Sequence, residues 1–262
     1  MVDFQCKPRY GLQDLEQIMT LLRGPGGCPW DREQTHQSIR RNLLEEAYEA
    51  AEAIDRRDPG HLREELGDVL LQVVFHAEMA REEGQFTLAD VVDGVCRKLV
   101  FRHPHVFGTV PAGDSAAALE AWDARKRREK GQKSTADALD AVARSLPALM
   151  RAEKLQDKAS KAGFDWREAA QAADKLAEEA EELKTALREG TNVEEELGDV
   201  LFAAVKAGRF AGLDSELALH AACEKFIRRF REVERQAGGT PLDRFPLEEL
   251  ERMWAQAKQQ ET

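Results

Sequence analysis

Apolar residues recur every three or four positions through most of the chain, which is the helical period rather than the alternation of a strand. Leu12, Leu15, Ile18, Met19 and Leu22 predict a first amphipathic helix over about residues 11–23, broken by Gly24-Pro25-Gly26-Gly27-Cys28-Pro29. Asp31, with Gln34 three residues on, has the form of a capping box opening the next helix, which runs to about Arg56. With Glu45 set at zero on a helical wheel, Glu49 and Glu52 fall within about 40° of it and Glu46 at about 100°. Leu44, Ala47, Tyr48, Ala51 and Ile54 occupy the opposite arc, the expected core face. A polar break over 56–62, turned by Asp58-Pro59-Gly60, leads into a helix ending near Glu83 and Gly84. Leu66, Val69, Leu70, Leu71, Val73, Val74 and Phe75 wrap most of its circumference, so it is expected to be largely buried. Yet it carries Glu65 and Asp68, three apart and so neighbours on one face. Buried carboxylates without partners cost several kcal/mol, so a positive group is expected to meet them.

Beyond Leu88, the residues Val91, Val92, Val95, Leu99 and Val100 are expected to point inward from a helix that Pro104 stops. Residues 107–114 read as loop and 116–130 as a further helix, whose basic tail over 125–133 reads as a solvated helix end. The second half then repeats the first. Phe164-Asp165-Trp166, with Glu168 three after Asp165, answers the Pro-Trp-Asp cap. Glu178-Glu179-x-x-Glu182 answers Glu45-Glu46-x-x-Glu49, and Glu-Leu-Gly-Asp-Val-Leu occurs at both 65–70 and 196–201. Lys98-x-x-x-Arg102 is answered by Lys225-x-x-x-Arg229, and Trp122-x-x-x-Lys126 by Trp254-x-x-x-Lys258. The expected fold is all-α, two tandem repeated helical-bundle domains at residues 1–130 and 136–262, with 131–135 as linker.

Composition changes this picture little. A net charge of -11 argues against a general binder of nucleic acid or of anionic membranes. Four cysteines, Cys6, Cys28, Cys96 and Cys223, form no Cys-x-x-Cys pair, as expected of a reduced cytoplasmic protein without a zinc site. No apolar run reaches spanning length and the N-terminus has no signal-peptide pattern, so a soluble intracellular protein is expected.

The chemistry lies in the acids. Runs of Glu on a helix are commonly a solvated face, but here they recur twice, and the Glu-x-x-Asp pair sits on the more apolar helix. Hard oxygen ligands from two facing helices suit Mg²⁺ or Mn²⁺. The Lys and Arg one turn apart on a later helix supply fixed positive charge, and a Trp offers a flat surface to a base, with a Lys one turn away. Together they suit a nucleoside phosphate bound through metal. No Ser-His-Asp or Cys-His set, Walker loop or His-Glu-x-x-His motif competes. Two alternatives remain open: a carboxylate-bridged di-iron bundle, which needs paired Glu-x-x-His motifs on facing helices that the chain does not carry, and a non-catalytic helical interaction module with its acids in solvent. The six His residues show no ligand-like spacing.

These motifs, with Gly-Gly-Cys-Pro-Trp-Asp at 26–31 and Arg-His-Pro-His-Val-Phe at 102–107, resemble the MazG-type nucleoside triphosphate pyrophosphohydrolases of the all-α NTP pyrophosphatase superfamily. The resemblance spans nearly the whole chain and is to a two-domain member. It implies hydrolysis of NTPs and dNTPs between the α- and β-phosphates to a nucleoside monophosphate and pyrophosphate, a house-cleaning role in the nucleotide pool. It also implies Mg²⁺ dependence and a homodimer with bundles completed between chains. Glu179, Glu182, Glu196 and Asp199 match the family's catalytic metal ligands, and Glu46, Glu49, Glu65 and Asp68 match them in the first half. Lys175, Glu178, Lys225, Arg229, Trp254 and Lys258 match its nucleotide-contacting positions, to which Glu45, Lys98, Arg102, Trp122 and Lys126 correspond in the first half. One departure stands out: Asn42 holds the place of Lys175, so the second half is expected to carry most turnover.

Overall fold

The computed structural model describes residues 4–109 and 114–260, which contain helices and turns and no strand. The chain divides into two compact units, Met1–Lys126 and Arg127–Thr262. The division falls inside a helix, a few residues ahead of the expected linker at 131–135.

In the first unit α1 (Leu12–Arg23) is followed by a short α2 (Pro29–Glu33). Between them the chain turns so tightly that a Cβ on Gly27 would collide with the carbonyls of Leu21 and Leu22. Asp31 does not cap the acidic helix. Pro29 takes the first position of α2, where its missing N–H costs nothing, so Asp31 lies inside that helix with Gln34 at its end. The acidic helix, α3 (Arg40–Asp55), begins later and has no side-chain cap. The break after it is also shorter than expected. Arg57 takes a left-handed conformation (φ 55°), and the Asp58 carboxylate accepts from the backbone N–H groups of Gly60 (3.0 Å) and His61 (3.1 Å). Pro59 therefore opens α4 (Pro59–Glu82), and His61 and Leu62 belong to its first turn. A reciprocal Thr87–Asp90 box opens α5 (Leu88–Arg102). A short α6 (Pro104–Phe107) follows and takes in only Phe107 of the expected loop; residues 110–113 of that loop lie outside the described residues. The last element, α7 (Ser115–Glu129), crosses into the second unit.

The first core gathers Met19, Ile39, Val74, Phe75, Ala77, Met79 and Leu88, chiefly by packing α1 on the C-terminal half of α4. Each fully buried Val, Leu, Ile, Met or Phe side chain contributes roughly 1.5–3 kcal/mol. The expected burial holds for that half of α4 only; Leu66 and Leu70 in its first half are exposed. Likewise α3 turns Leu43, Glu46, Ala50 and Ala53 toward α4, while Leu44, Tyr48 and Ile54 stay exposed. The apolar arc of α3 is wider than one helix contact, and α4 covers one side of it. On α5, Val91, Val92, Val95, Leu99 and Val100 do not point into the core either: each is 39–51% exposed.

After the end of α7, the second unit continues with α8 (Thr135–Asp140) and α9 (Ala148–Lys161), followed by α10 (Ala169–Glu189), α11 (Val193–Phe210) and α12 (Ser215–Gln236). A 3-10 turn at Leu242–Arg244 precedes α13 (Leu247–Gln259). The α10–α11 hairpin repeats α3–α4, with α9 packed on α11 and α12, and α12 on α13. Its tight link uses left-handed Gly190 and Asn192. Asp165 does not cap α10 as its place in the repeat predicts. Glu168 does, donating its backbone N–H to Gln171, while Asp165 forms an ion pair with Lys206 (2.6 Å) and another with Arg209, both on α11.

Candidate metal and nucleotide site

Each hairpin brings the acids of its two helices together. In the second unit Glu179 on α10 and Glu196 and Asp199 on α11 each offer a carboxylate oxygen, and these atoms lie within 4.8 Å of one another. Three residues on from Glu179, and so on the same face, Glu182 is hydrogen-bonded to it. That bond, then some loss of hydration and the Glu179 charge, push the Glu182 carboxyl above its ordinary range. Glu179 moves the other way, held down first by its hydrogen bond from Lys175. The Lys175 ammonium sits 2.8 Å from Glu178 and 2.8 Å from Glu179, and both carboxylates raise its pKa. Beside the cluster a groove of about 440 Å³ is lined by Glu178, Glu182, Thr185, Asn192 and Glu196 among others.

The first unit builds the same arrangement from α3 and α4. Glu46, Glu49 and Glu65 converge within 4.8 Å. Asp68 adds its charge: the Glu46 carboxyl is pushed up by burial first, then by Asp68, Glu49, Glu65 and Glu45. The buried Glu65 is met by His61, whose Nε2 lies 2.8 Å from it. Sequence reading missed this histidine by placing it in the break. The signal was present, because Pro59 at the first helical position puts His61 one turn before Glu65. The outer Glu45 pairs with Arg41 at 2.7 Å.

The basic and aromatic positions lie on the helices that follow. Lys225 and Arg229 are on α12, Trp254 and Lys258 on the packed α13, and the Trp254 ring centroid stands 5.2 Å from that of Phe226. In the first unit Lys98 and Arg102 are on α5, Trp122 and Lys126 on α7. There the indole is engaged by two cations, Arg102 at 5.2 Å and Lys126 at 4.6 Å from the ring centroid.

The convergent donors are all carboxylate oxygens. Such a set fits a hard divalent cation such as Mg²⁺ or Mn²⁺ and suits zinc or copper poorly, since those favour thiolate and imidazole.

Comparison with known proteins agrees with the repeat. The MazG nucleotide pyrophosphohydrolase domain is matched at residues 34–107 and again at 167–234, spans that include both acidic hairpins. The chain is 44% identical over 248 residues to the nucleoside triphosphate pyrophosphohydrolase/pyrophosphatase MazG of Thermotoga maritima, covering 94% of this chain and 95% of that protein. It is 47% identical over 251 residues to the nucleoside triphosphate pyrophosphohydrolase of Escherichia coli K12, covering 93% and 95% respectively. A nucleoside triphosphate pyrophosphohydrolase of Mycolicibacterium smegmatis is 39% identical over 60% of this chain and 48% of its own length. The chain belongs to the MazG family of nucleotide pyrophosphohydrolase enzymes, and it carries that family's domain twice.

Proposed function

We propose that this chain hydrolyses nucleoside triphosphates, ribo- and deoxyribo-, between the α- and β-phosphates, releasing a nucleoside monophosphate and pyrophosphate in the cytoplasm as a house-cleaning step. The observation that carries this reading is the convergence of carboxylates from two facing helices, found in both units at the repeated acid motif. It is supported by the relatives, which bear the name of nucleoside triphosphate pyrophosphohydrolase. Glu179, Glu182, Glu196 and Asp199 would hold Mg²⁺, with Mn²⁺ able to replace it, and Glu46, Glu49, Glu65 and Asp68 would do so in the first unit. When bound, the cation supplies a Lewis acid for a phosphoryl oxygen and a bound water of lowered pKa. The side chains do the rest. Lys175, Lys225 and Arg229 neutralise phosphate oxygens through charge-assisted hydrogen bonds. Trp254 offers its ring face to the base, with Lys258 one turn away, and Glu178 holds Lys175 in place until substrate arrives.

The exposed apolar residues of α5 and of α12, among them Val91, Val95, Leu99, Phe226, Ile227 and Phe230, support a homodimer in which a second copy covers these faces. A net charge of -11 accords with a small-molecule substrate rather than nucleic acid, and among the described residues no helix is long and apolar enough to cross a membrane. The deciding experiment incubates the purified chain with each common NTP and dNTP plus Mg²⁺ and separates the products. Monophosphate and pyrophosphate are expected; nucleoside diphosphate with orthophosphate would show the wrong bond to have been assigned.

A further inference from the structure

The two acidic clusters differ in what already neutralises them. In the second unit the Lys175 ammonium stands 2.8 Å from Glu179, one of the three carboxylates that converge. Asn42 takes that place in the first unit, four residues before Glu46. The neighbouring cation there, Arg41, pairs with the outer Glu45, and its side chain is 85% exposed. Glu46 thus lies among Glu45, Glu49, Glu65 and Asp68, whose charges all act on it. Among the described residues, the His61 imidazole meets this cluster at Glu65, in contrast to the ammonium that meets Glu179 in the second.

We propose that Lys175 is a tethered counter-ion that competes with the divalent cation for Glu179 and turns to the substrate's phosphates once the cation binds. The proposal rests on the metal-dependent reading above and concerns the order in which charge enters the site. Lys175 and a divalent cation are like charges drawing on one carboxylate, and they repel. Binding of the cation to the second unit therefore includes the cost of detaching the ammonium, which the first unit does not incur. The first cluster fills at the lower cation concentration. In the second, Lys175 leaves Glu179 only when the cation has replaced its charge, so the ammonium becomes available to phosphate at a metal-loaded site.

The test is a Mn²⁺ titration of the nucleotide-free, full-length protein, with free Mn²⁺ read by electron paramagnetic resonance. Two classes of site are expected, their affinities differing by roughly two- to fivefold, the range of a partly exposed ion pair. Glu46→Gln should abolish the tighter class and Glu179→Gln the weaker. Lys175→Met, which keeps the aliphatic stem and removes the charge, should tighten the weaker class by about the same factor. Lys175→Gln should do likewise, so a folding fault in one variant does not decide the matter. A weaker class unchanged or loosened in both neutral variants overturns the proposal while leaving metal binding intact. Turnover of NTP with no Mn²⁺ bound by either unit would instead overturn the metal-dependent reading, and this inference with it.

Discussion

His36 and His76 lie ring on ring in the first unit, their planes 2° apart and their Nδ1 atoms 2.8 Å apart. The second half has Ala207 in the place of His76, so the pair belongs to one unit alone. His76 Nε2 is enclosed without a hydrogen-bond partner. A bare acceptor is cheaper to enclose than an unpaired N–H, so His76 donates from Nδ1 to His36 and remains neutral. Burial first, then the His36 charge, pull its pKa below the ordinary 6.5. A depressed folded pKa means stability that is fully present above about pH 6.5 and lost as the pH falls through the folded value. The first unit should therefore unfold at lower urea as the buffer moves from about pH 7.5 to about pH 5.5. His76→Gln should flatten that dependence, and equal slopes in the two proteins would remove His76 as its source.

A second prediction concerns the Asp165 anchor. Burial pushes its carboxyl up, but hydrogen bonds from Lys206, Ser160 and Arg209 outweigh burial and hold it far below the usual carboxylate range. Lys206 is itself buried, its ammonium 5.4 Å from the Trp166 ring centroid, so Asp165→Asn strands a desolvated cation. A loss of roughly 2–3 kcal/mol is expected for the second unit, read as a lower Tm of its transition. Because the folded pKa is depressed, this stabilisation is present above the ordinary 3.8 and lost only in strong acid. A Tm drop that vanished already at about pH 5 would contradict the assignment.

Helices, repeat and acids were legible because each is a local signal. A period of 3.6 residues needs no tertiary information, and Glu46 with Glu49, or Glu65 with Asp68, must share a face once the helix is assigned. What escaped was which side of a wide apolar arc the unit itself covers. Leu44, Tyr48 and Ile54 are as apolar as Leu43 and Ala53, and only the α3–α4 packing separates them. The Asp31 cap failed because Pro29 nucleates a helix of its own two residues earlier. His36 and His76 are 40 residues apart and leave no pattern to find.

The third prediction separates metal from structure. Glu196→Gln removes one of three converging charges from α11, relieving repulsion in the metal-free protein. The variant should fold, with a Tm in chelator at or above that of the parent. Saturating Mg²⁺, on the order of a hundredfold above Kd, should stabilise the parent's second unit by about 2–3 kcal/mol and the variant far less. Turnover should fall by about two orders of magnitude or more, as should that of Asp199→Asn. An undiminished Mg²⁺-dependent rise in Tm would return these acids to a purely structural role.

The last prediction concerns the division of labour. Both units bring their acids together, so convergence alone does not separate them. The difference is the cation beside them. Lys175 lies one turn before Glu179 and reaches it at 2.8 Å, while Asn42 has only a neutral amide to offer an arriving phosphate. Charge-assisted hydrogen bonds are roughly twice as strong as neutral ones, a margin that separates a working site from a weak one when several phosphate oxygens are gripped at once. The aromatic surfaces differ too: Trp122 already has Arg102 and Lys126 at its ring, whereas Trp254 packs beside Phe226. A base entering the first unit must displace one of these two cations from the indole face. Glu182→Gln should therefore remove most activity across the eight common nucleotides, and Glu49→Gln should leave most of it or narrow the substrate range. The comparison is made in the full-length protein, each variant assayed for pyrophosphate release under identical Mg²⁺. Loss of activity in Glu49→Gln with Glu182→Gln intact would reverse the order and make the His61-bearing unit the working one.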